Sequence, residues 1–230
     1  MYVYFDAHCH YSFLKDKRYD DYFIAAVSMD YKTSLDTLSL RNNNILVGVG
    51  IHPWRVHEEK LENVIPLISK ADFVGEVGLD FRLARAPRDL QINYLVRQIE
   101  EGKDKLINVH ALDAWKETFD ILVRYDIKRA IFHWYTGPID LLKDIESVGY
   151  YISINPSVTF QKKHQKVLEA VSLKNVLTES DGGYEYKGKM LEPSDIPKAI
   201  SYISNVLNIG EEKLKRILRD NFVTAFSLKI

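Results

Sequence analysis

Apolar residues in this chain come in short runs, separated by longer stretches where they recur at the three- and four-residue spacing of amphipathic helices. The runs are Tyr2–Phe5, Tyr22–Val27, Ile45–Val49, Phe73–Val77, Leu106–Val109, Ala130–Phe132, Tyr150–Ile154 and Asn175–Leu177. Each is too short for a helix, and most lack the alternation of a half-exposed strand, so they predict fully buried parallel strands. The stretches between them predict helices over Leu35–Arg41, Glu59–Ser69, Pro87–Glu101, Ala114–Tyr125, Ile139–Val148, His164–Val171 and Ile196–Val206, with Glu211–Phe226 as a last helix. Pro87 suits the first turn of its helix, and Asp113 and Asp195 are expected N-caps. Eight strands spaced roughly 20–34 residues apart, each followed by a helix, have the rhythm of repeated βα units. Such units close into a TIM-type (β/α)8 barrel. A doubly wound open sheet is the alternative, but eight parallel strands of similar weight favour closure. No Gly/Ser/Pro-rich linker or sequence repeat marks a boundary, so residues 1–230 are expected to form a single domain.

Composition narrows the function classes. The chain has 230 residues, 46% hydrophobic, enough to bury most of its apolar surface without a disulfide or structural-metal staple. Its 31 basic and 32 acidic residues leave a net charge of −1, so no global field draws it onto nucleic acid or an anionic membrane. Any polyanion must be held locally. The single cysteine, Cys9, excludes an intramolecular disulfide framework and fits a reducing compartment. The opening MYVYFDAHCH has neither the basic start nor the apolar core of a signal peptide, so a cytoplasmic globular protein is expected.

The candidate chemistry sits where the strands stop. The first runs into Asp6-Ala7-His8-Cys9-His10; in an extended segment residues i and i+2 point the same way, so His8 and His10 share a face and Cys9 takes the other. The third strand ends in Gly50-Ile51-His52-Pro53, the fourth in Gly75-Glu76-Val77-Gly78-Leu79-Asp80, the fifth in Asn108-Val109-His110, the sixth in Phe132-His133 and the eighth in Glu179-Ser180-Asp181. In a barrel this is the face on which active sites are built. Imidazoles and carboxylates converging without a thiolate suit Zn²⁺, Mn²⁺, Co²⁺ or Mg²⁺. His8, His10, Glu76, His110, His133 and Asp181 are more donors than one catalytic ion needs, which points to two divalent ions, with Glu76 best placed to bridge them. In a closed barrel the last strand returns beside the first. Asp181 would then stand next to the His8/His10 pair, where it could serve as the general acid–base.

These motifs, in this order, resemble the TatD family of metal-dependent deoxyribonucleases, within the amidohydrolase-like barrels. The likeness runs through FDAHCH, GIHP at 50–53, GEVGLD at 75–80, Gln91, NVH at 108–110, FHWYTG at 132–137, TESD at 178–181 and the closing DNFVTAFSL. It implies two Mg²⁺, Mn²⁺ or Zn²⁺ ions: His8, His10 and Asp181 on the first, His110 and His133 on the second, Glu76 between them. It also implies a phosphodiesterase that degrades DNA. The substrate-facing positions depart from the family's: Ala111-Leu112-Asp113 replaces its usual Arg, Trp134-Tyr135-Thr136-Gly137 its Cys-Phe-Ser-Gly, and Gly182-Gly183-Tyr184 its Ala/Ser-Pro.

Several other residues admit two readings. His52 is a hydrogen-bonded loop anchor or a contact to phosphate or leaving group. Asp80 either caps its loop or orients a ligand histidine. Arg82, Arg85 and Arg88 receive a phosphate backbone or are a solvated loop and helix start. Trp54, Trp134 and Tyr135 stack on unpaired bases or pack. Lys162, Lys163 and Lys166 are expected on a solvated helix face, and Cys9 as buried filler. Three function classes follow: a two-metal nuclease acting on DNA; a hydrolase of a small ester, lactone or amide, or of an aminoacyl-ester bond; and a metal-binding scaffold that recognises nucleic acid without cutting it.

Overall fold

The computed structural model describes residues 3–229. Its strands are β1 (Tyr4–Cys9), β2 (Tyr22–Ala26), β3 (Ile45–Val49), β4 (Phe73–Gly78), β5 (Ile107–His110), β6 (Ala130–Phe132), β7 (Tyr151–Ile154) and β8 (Val176–Thr178). They lie side by side in chain order, each paired parallel to the next. The helices are α1 (Tyr31–Leu38), α2 (Leu61–Ile68), α3 (Arg88–Glu101), α4 (Trp115–Arg124), α5 (Ile139–Ser147), α6 (Lys162–Ala170), α7 (Ile196–Leu207) and α8 (Glu211–Ala225). This is the expected TIM-type barrel, with one change of rhythm. Only a short 3-10 turn, Tyr11–Phe13, follows β1, and α8 comes back to pack over β1 and β8 in the place of the missing helix. No helix among the described residues is long and apolar enough to cross a membrane.

The sheet closes where β8 returns to β1. The Asp181 N–H donates to His8 O (2.9 Å), the His10 N–H to Gly182 O (2.7 Å), and Thr178 Oγ1 to Phe5 O (2.8 Å). The buried Asp6 carboxyl, pushed up to about 8 by burial, takes the Ser180 N–H (2.9 Å) and hydroxyl (2.5 Å). The bottom of the barrel is filled by Phe5, Phe23, Phe73, Leu106, Ile131 and Leu177, from or beside six of the eight strands, with Phe222 of α8 closing it from below.

Two bulges decide what stands above that plug. On β1, Asp6 pairs with Ile24 but Cys9 with Ala26, so three steps on one strand match two on the other. On β4, Val74 pairs with Ile107 but Val77 with Val109. One extra residue reverses the alternation of a strand. Phe5 and His8, and likewise Phe73 and Glu76, therefore face the same interior although three positions apart. Cys9 points the other way and is buried among Tyr11, Leu14, Ile24 and Val47.

Most expected strands and helices are found within two or three residues of their predicted limits. The run beginning at Tyr2 starts at Tyr4 and extends to Cys9; Tyr2 lies outside the described residues. Helix α1 begins four residues before expected, because Asp30 and Thr33 form a reciprocal capping box that hydrophobic spacing does not reveal. Asp113 is not the cap of α4: Ala114 holds that position, and Asp113, in a left-handed backbone (φ 55°), turns its carboxylate to Arg82. Asp195 holds the N-cap position of α7 as expected but makes no side-chain cap bond, its carboxylate accepting instead from Lys189 (2.5 Å) and Lys198 (3.1 Å). Pro87 sits one residue before the first helical residue of α3. A hairpin of two-residue strands, β9 (Glu185–Tyr186) and β10 (Lys189–Met190), was not expected. Its turn places Lys187 and Gly188 both at positive φ, the conformation of a type I′ connection.

Candidate metal-binding active site

His8 and His10 enter the barrel mouth from the end of β1, Asp181 meets them across the seam, and Glu76 reaches in from β4. The Nε2 of His8 lies 3.4 Å from the Nε2 of His10 and 3.5 Å from both Glu76 Oε2 and Asp181 Oδ1. His10 Nε2 lies 3.3 Å from Glu76 Oε2 and 3.4 Å from Asp181 Oδ1. Three donors about 3.4 Å apart, the two imidazole nitrogens with either carboxylate oxygen, can each lie about 2.1 Å from one ion, the length of a Zn–N or Zn–O bond. The group is therefore able to hold an ion. Asn108 prepares one corner: its Nδ2 donates to Ala7 O (2.8 Å), which leaves its Oδ1 to accept from His8 Nδ1 (2.9 Å). The proton is thereby kept on Nδ1 and the Nε2 lone pair faces the centre. Burial, reinforced by the neighbouring His133, holds His8 well below the usual imidazole range, so the ring is neutral. Burial opposes charge on His10 as well, but Asp181 and Glu76 outweigh it and raise that ring to about 9.

The other oxygen of Glu76 faces a second group. Its Oε1 lies 2.9 Å from His133 Nε2, 3.1 Å from His110 Nδ1 and 3.2 Å from His52 Nε2, and His110 Nδ1 is 3.2 Å from His133 Nε2. Burial would raise the Glu76 carboxyl, but His52, His133 and His8 hold it well below the ordinary range, so it stays ionised. His52 Nδ1 accepts the Trp54 N–H (3.1 Å), which puts its proton on Nε2, directed at Glu76. Burial lowers His52 to about 4, so it is a neutral donor to the carboxylate. Asp80 fills both roles open to it: Oδ2 holds His110 Nε2 (3.0 Å) and accepts from Trp54 Nε1 (2.6 Å), while Oδ1 caps the N–H groups of Arg82 and Leu83. Gln91 of α3 pins this loop by accepting from the Asp80 N–H (2.8 Å) and donating to Ala86 O (2.8 Å). Gly78 allows the strands to come together here. At φ +146° a Cβ would stand 1.9 Å from His110 O, so only glycine fits.

Above these groups opens a cavity of about 480 Å³ bounded by all three tryptophans, Trp54, Trp115 and Trp134, and by Tyr184 and Tyr186. His52 and Arg82 also line it. The Arg82 guanidinium, however, is already engaged by Asp113 through two bonds, 2.7 and 2.6 Å. Three sequence-based candidates are not cavity residues. Tyr135 is fully buried, its hydroxyl donating to Pro138 O (2.6 Å) and its ring against Trp115 (4.7 Å). The left-handed backbone of Trp134 (φ 41°) sends that ring to the cavity and the next one into the core. Arg85 is exposed outside the cavity, and Arg88 lies over the Phe81 ring at 4.3 Å.

Sequence reasoning passed over two supporting residues that strand periodicity marks. Asn108 lies two before His110, and Glu179 two before Asp181. Glu179 is fully buried, accepts from the Ser153 hydroxyl (2.5 Å), and places Oε1 3.6 Å from His133 Nδ1. The aromatic wall of Tyr184 and Tyr186 gave no signal, because it depends on the short hairpin after β8.

A closed barrel of eight parallel strands, with buried imidazole and carboxylate groups able to hold metal at the ends of β1, β4, β5 and β6, defines a metal-dependent hydrolase. Residues 5–227 match the family model described as TatD related DNase, and the chain belongs to the TatD family. It is 30% identical over 250 residues to an uncharacterized metal-dependent hydrolase of Methanocaldococcus jannaschii, covering 99% of this chain and 98% of that protein. It is 25% identical to Deoxyribonuclease TATDN3 of Homo sapiens, covering 96% and 93%. Among solved structures, its fold is similar to that of YJJV, a TatD homologue from Escherichia coli K12, with a TM-score of 0.87 at 19% identity and 99% of each chain covered.

Proposed function

We propose that this protein is a nuclease that hydrolyses phosphodiester bonds of DNA, using two divalent ions, Mg²⁺, Mn²⁺ or Zn²⁺. In this reading His8, His10 and Asp181 hold one ion, His110 and His133 the other, and Glu76 both. The observation that carries it is Glu76, whose two oxygens face two separate donor groups at 2.9–3.5 Å. Ions bound there would lower the pKa of a shared water and withdraw charge from the phosphate oxygens. The residues do the rest. Asn108 and Asp80 fix the rings of His8 and His110 from behind. His52 donates to Glu76 Oε1 and sustains its charge. Asp181, with Oδ1 against both histidines of β1, has Oδ2 left to take a proton from the attacking water and pass it to the leaving oxygen. Trp54 and Trp134 line the cavity, where their rings would stack on unpaired bases. The name of the human relative, a deoxyribonuclease, agrees with DNA as substrate. The chain is taken to act as one domain in the cytoplasm, where a buried, unpaired Cys9 stays reduced.

One observation favours a second reading. The Arg82–Asp113 pair neutralises the guanidinium at the mouth, which suits a small carboxyl ester, lactone or amide, or an aminoacyl ester, better than a bare phosphate. Purified protein stripped of metal and then given Mg²⁺, Mn²⁺ or Zn²⁺ is assayed on labelled single- and double-stranded DNA and on chromogenic phosphodiesters and carboxyl esters. Metal-dependent DNA cleavage is expected. Turnover of carboxyl esters alone would transfer the site to the second reading, and stoichiometric metal with no turnover would make it a scaffold.

A further inference from the structure

A second cavity, of about 400 Å³, adjoins the first and shares Asp113, Trp115, Thr136 and Lys163 with it. It is a groove leading out of the active site between the start of α5 and the start of α6. Both helices begin there without a side-chain cap. Uncapped helix N-termini leave N–H groups unclaimed and carry the positive end of the helix dipole. Lys163 and Lys166 are three residues apart on α6, hence on one face, and both line the groove. Neither has a carboxylate partner among the ion pairs of the described residues; Asp113, the one carboxylate lining the groove, is held by Arg82. Lys162, expected on the same solvated face, lines neither cavity. The uncompensated positive charge beside the active site is therefore concentrated in this groove, with the Trp115 ring in its wall.

We propose that the groove is a phosphate subsite that receives the next phosphate of a nucleotide chain whose scissile bond lies over Glu76. It rests on the nuclease reading for what occupies the neighbouring cavity. It assigns to Lys163 and Lys166 the cationic contact that Arg82, committed to Asp113, does not offer. The enzyme then prefers oligonucleotides over mononucleotide esters through KM.

The test is binding, measured apart from turnover. A fluorescein-labelled phosphorothioate tetradeoxynucleotide keeps the backbone charge and resists cleavage; its Kd for metal-loaded protein is read by anisotropy over a series of NaCl concentrations. Lys166→Ala is expected to weaken binding roughly tenfold at low salt and to lower the slope of log Kd against log salt by about one, the signature of one lost phosphate contact. The same variant should raise the ratio of the oligonucleotide KM to that of a mononucleotide p-nitrophenyl ester. Lys162→Ala, the same charge change on the same helix outside both cavities, is expected to leave binding and slope at wild-type values. Wild-type binding by Lys166→Ala, an equal loss in Lys162→Ala, or no saturable binding by the wild type would each overturn the subsite. Binding that depends on Lys166 without any phosphodiester cleavage would leave the groove standing and remove the nuclease reading. Cleavage indifferent to Lys166 would do the reverse.

Discussion

On the Oε2 side of Glu76 the donors come from β1 and the loop after β8, and the two histidines stand 3.3–3.5 Å from the two carboxylate oxygens; on the Oε1 side they come from β5, β6 and the loop after β3, and the contacts crowd to 2.9–3.2 Å. The first group offers two imidazole nitrogens and two carboxylate oxygens, with His8 fully buried and locked by Asn108. The second has two imidazoles and a carboxylate oxygen already shared with the His52 proton, and its His110 side chain is 13% exposed toward the cavity. Closed four-donor sites hold metal firmly, whereas sites with fewer protein ligands keep a position for water or substrate. On the two-ion reading proposed above, the Oε2 side would retain its ion and the Oε1 side, closer to the cavity, would exchange it.

The strongest way to break that division is to remove what both sides share. Glu76→Gln is expected to abolish measurable hydrolysis and to reduce bound metal to one ion per chain or none, read by elemental analysis; two retained ions would end the bridging role. Asp181→Asn separates holding from chemistry on the Oε2 side. It should keep the fold, a Tm near wild type and at least one ion, while kcat falls by roughly 10²-fold or more. A variant keeping more than about a tenth of the activity would make Asp181 a spectator.

Changes behind the ligands probe each side alone. Asn108→Ala should weaken the tighter ion and Asp80→Asn the looser one, each by about 10–100-fold in metal affinity, seen as a shift of one of two steps in a chelator titration. Loss of both steps together in either variant would show that the two sides are a single site. The smallest effect on activity is expected at His164, buried in α6 with Nδ1 3.2 Å from Ser157 Oγ and lowered to about 3 by burial. Its folded pKa lies below the unfolded value of 6.5, so the stability it contributes is present above pH 6.5 and is lost as pH falls toward 3. His164→Gln should flatten the acid side of the Tm–pH curve, by about 3 kcal/mol at pH 4, with activity at neutral pH little changed. An unaltered curve would mean that acid acts on the fold elsewhere.

Much of this site is legible in the chain because strand geometry is local. Two residues apart on a strand means one face, which paired His8 with His10 and, applied further, would have paired Asn108 with His110 and Glu179 with Asp181. Closure of an eight-strand barrel then brought Asp181 to the first strand, as its place at the end of the last one implied. The supporting contacts were harder to foresee where they join segments far apart in the chain. Arg82 reads as a free cation until Asp113, 31 residues away, is found bonded to it. Tyr135 and Trp134 are adjacent aromatics of equal promise until a left-handed backbone sends one to the cavity and the other to the core.

Hydrophobic run length and helical spacing, then, determined the order of elements, the parallel barrel and the strand ends at which the histidines and carboxylates gather. These follow from burial and from the two backbone periodicities, both of which act over a few residues. Tertiary structure decided the aim and the company of the side chains. The one-residue bulges in β1 and β4 turn His8 and Glu76 inward, the hairpin after β8 raises an aromatic wall, and Asp113 claims Arg82. Each depends on register between strands or contact between loops, and those are set by packing across the whole barrel, which no local pattern encodes.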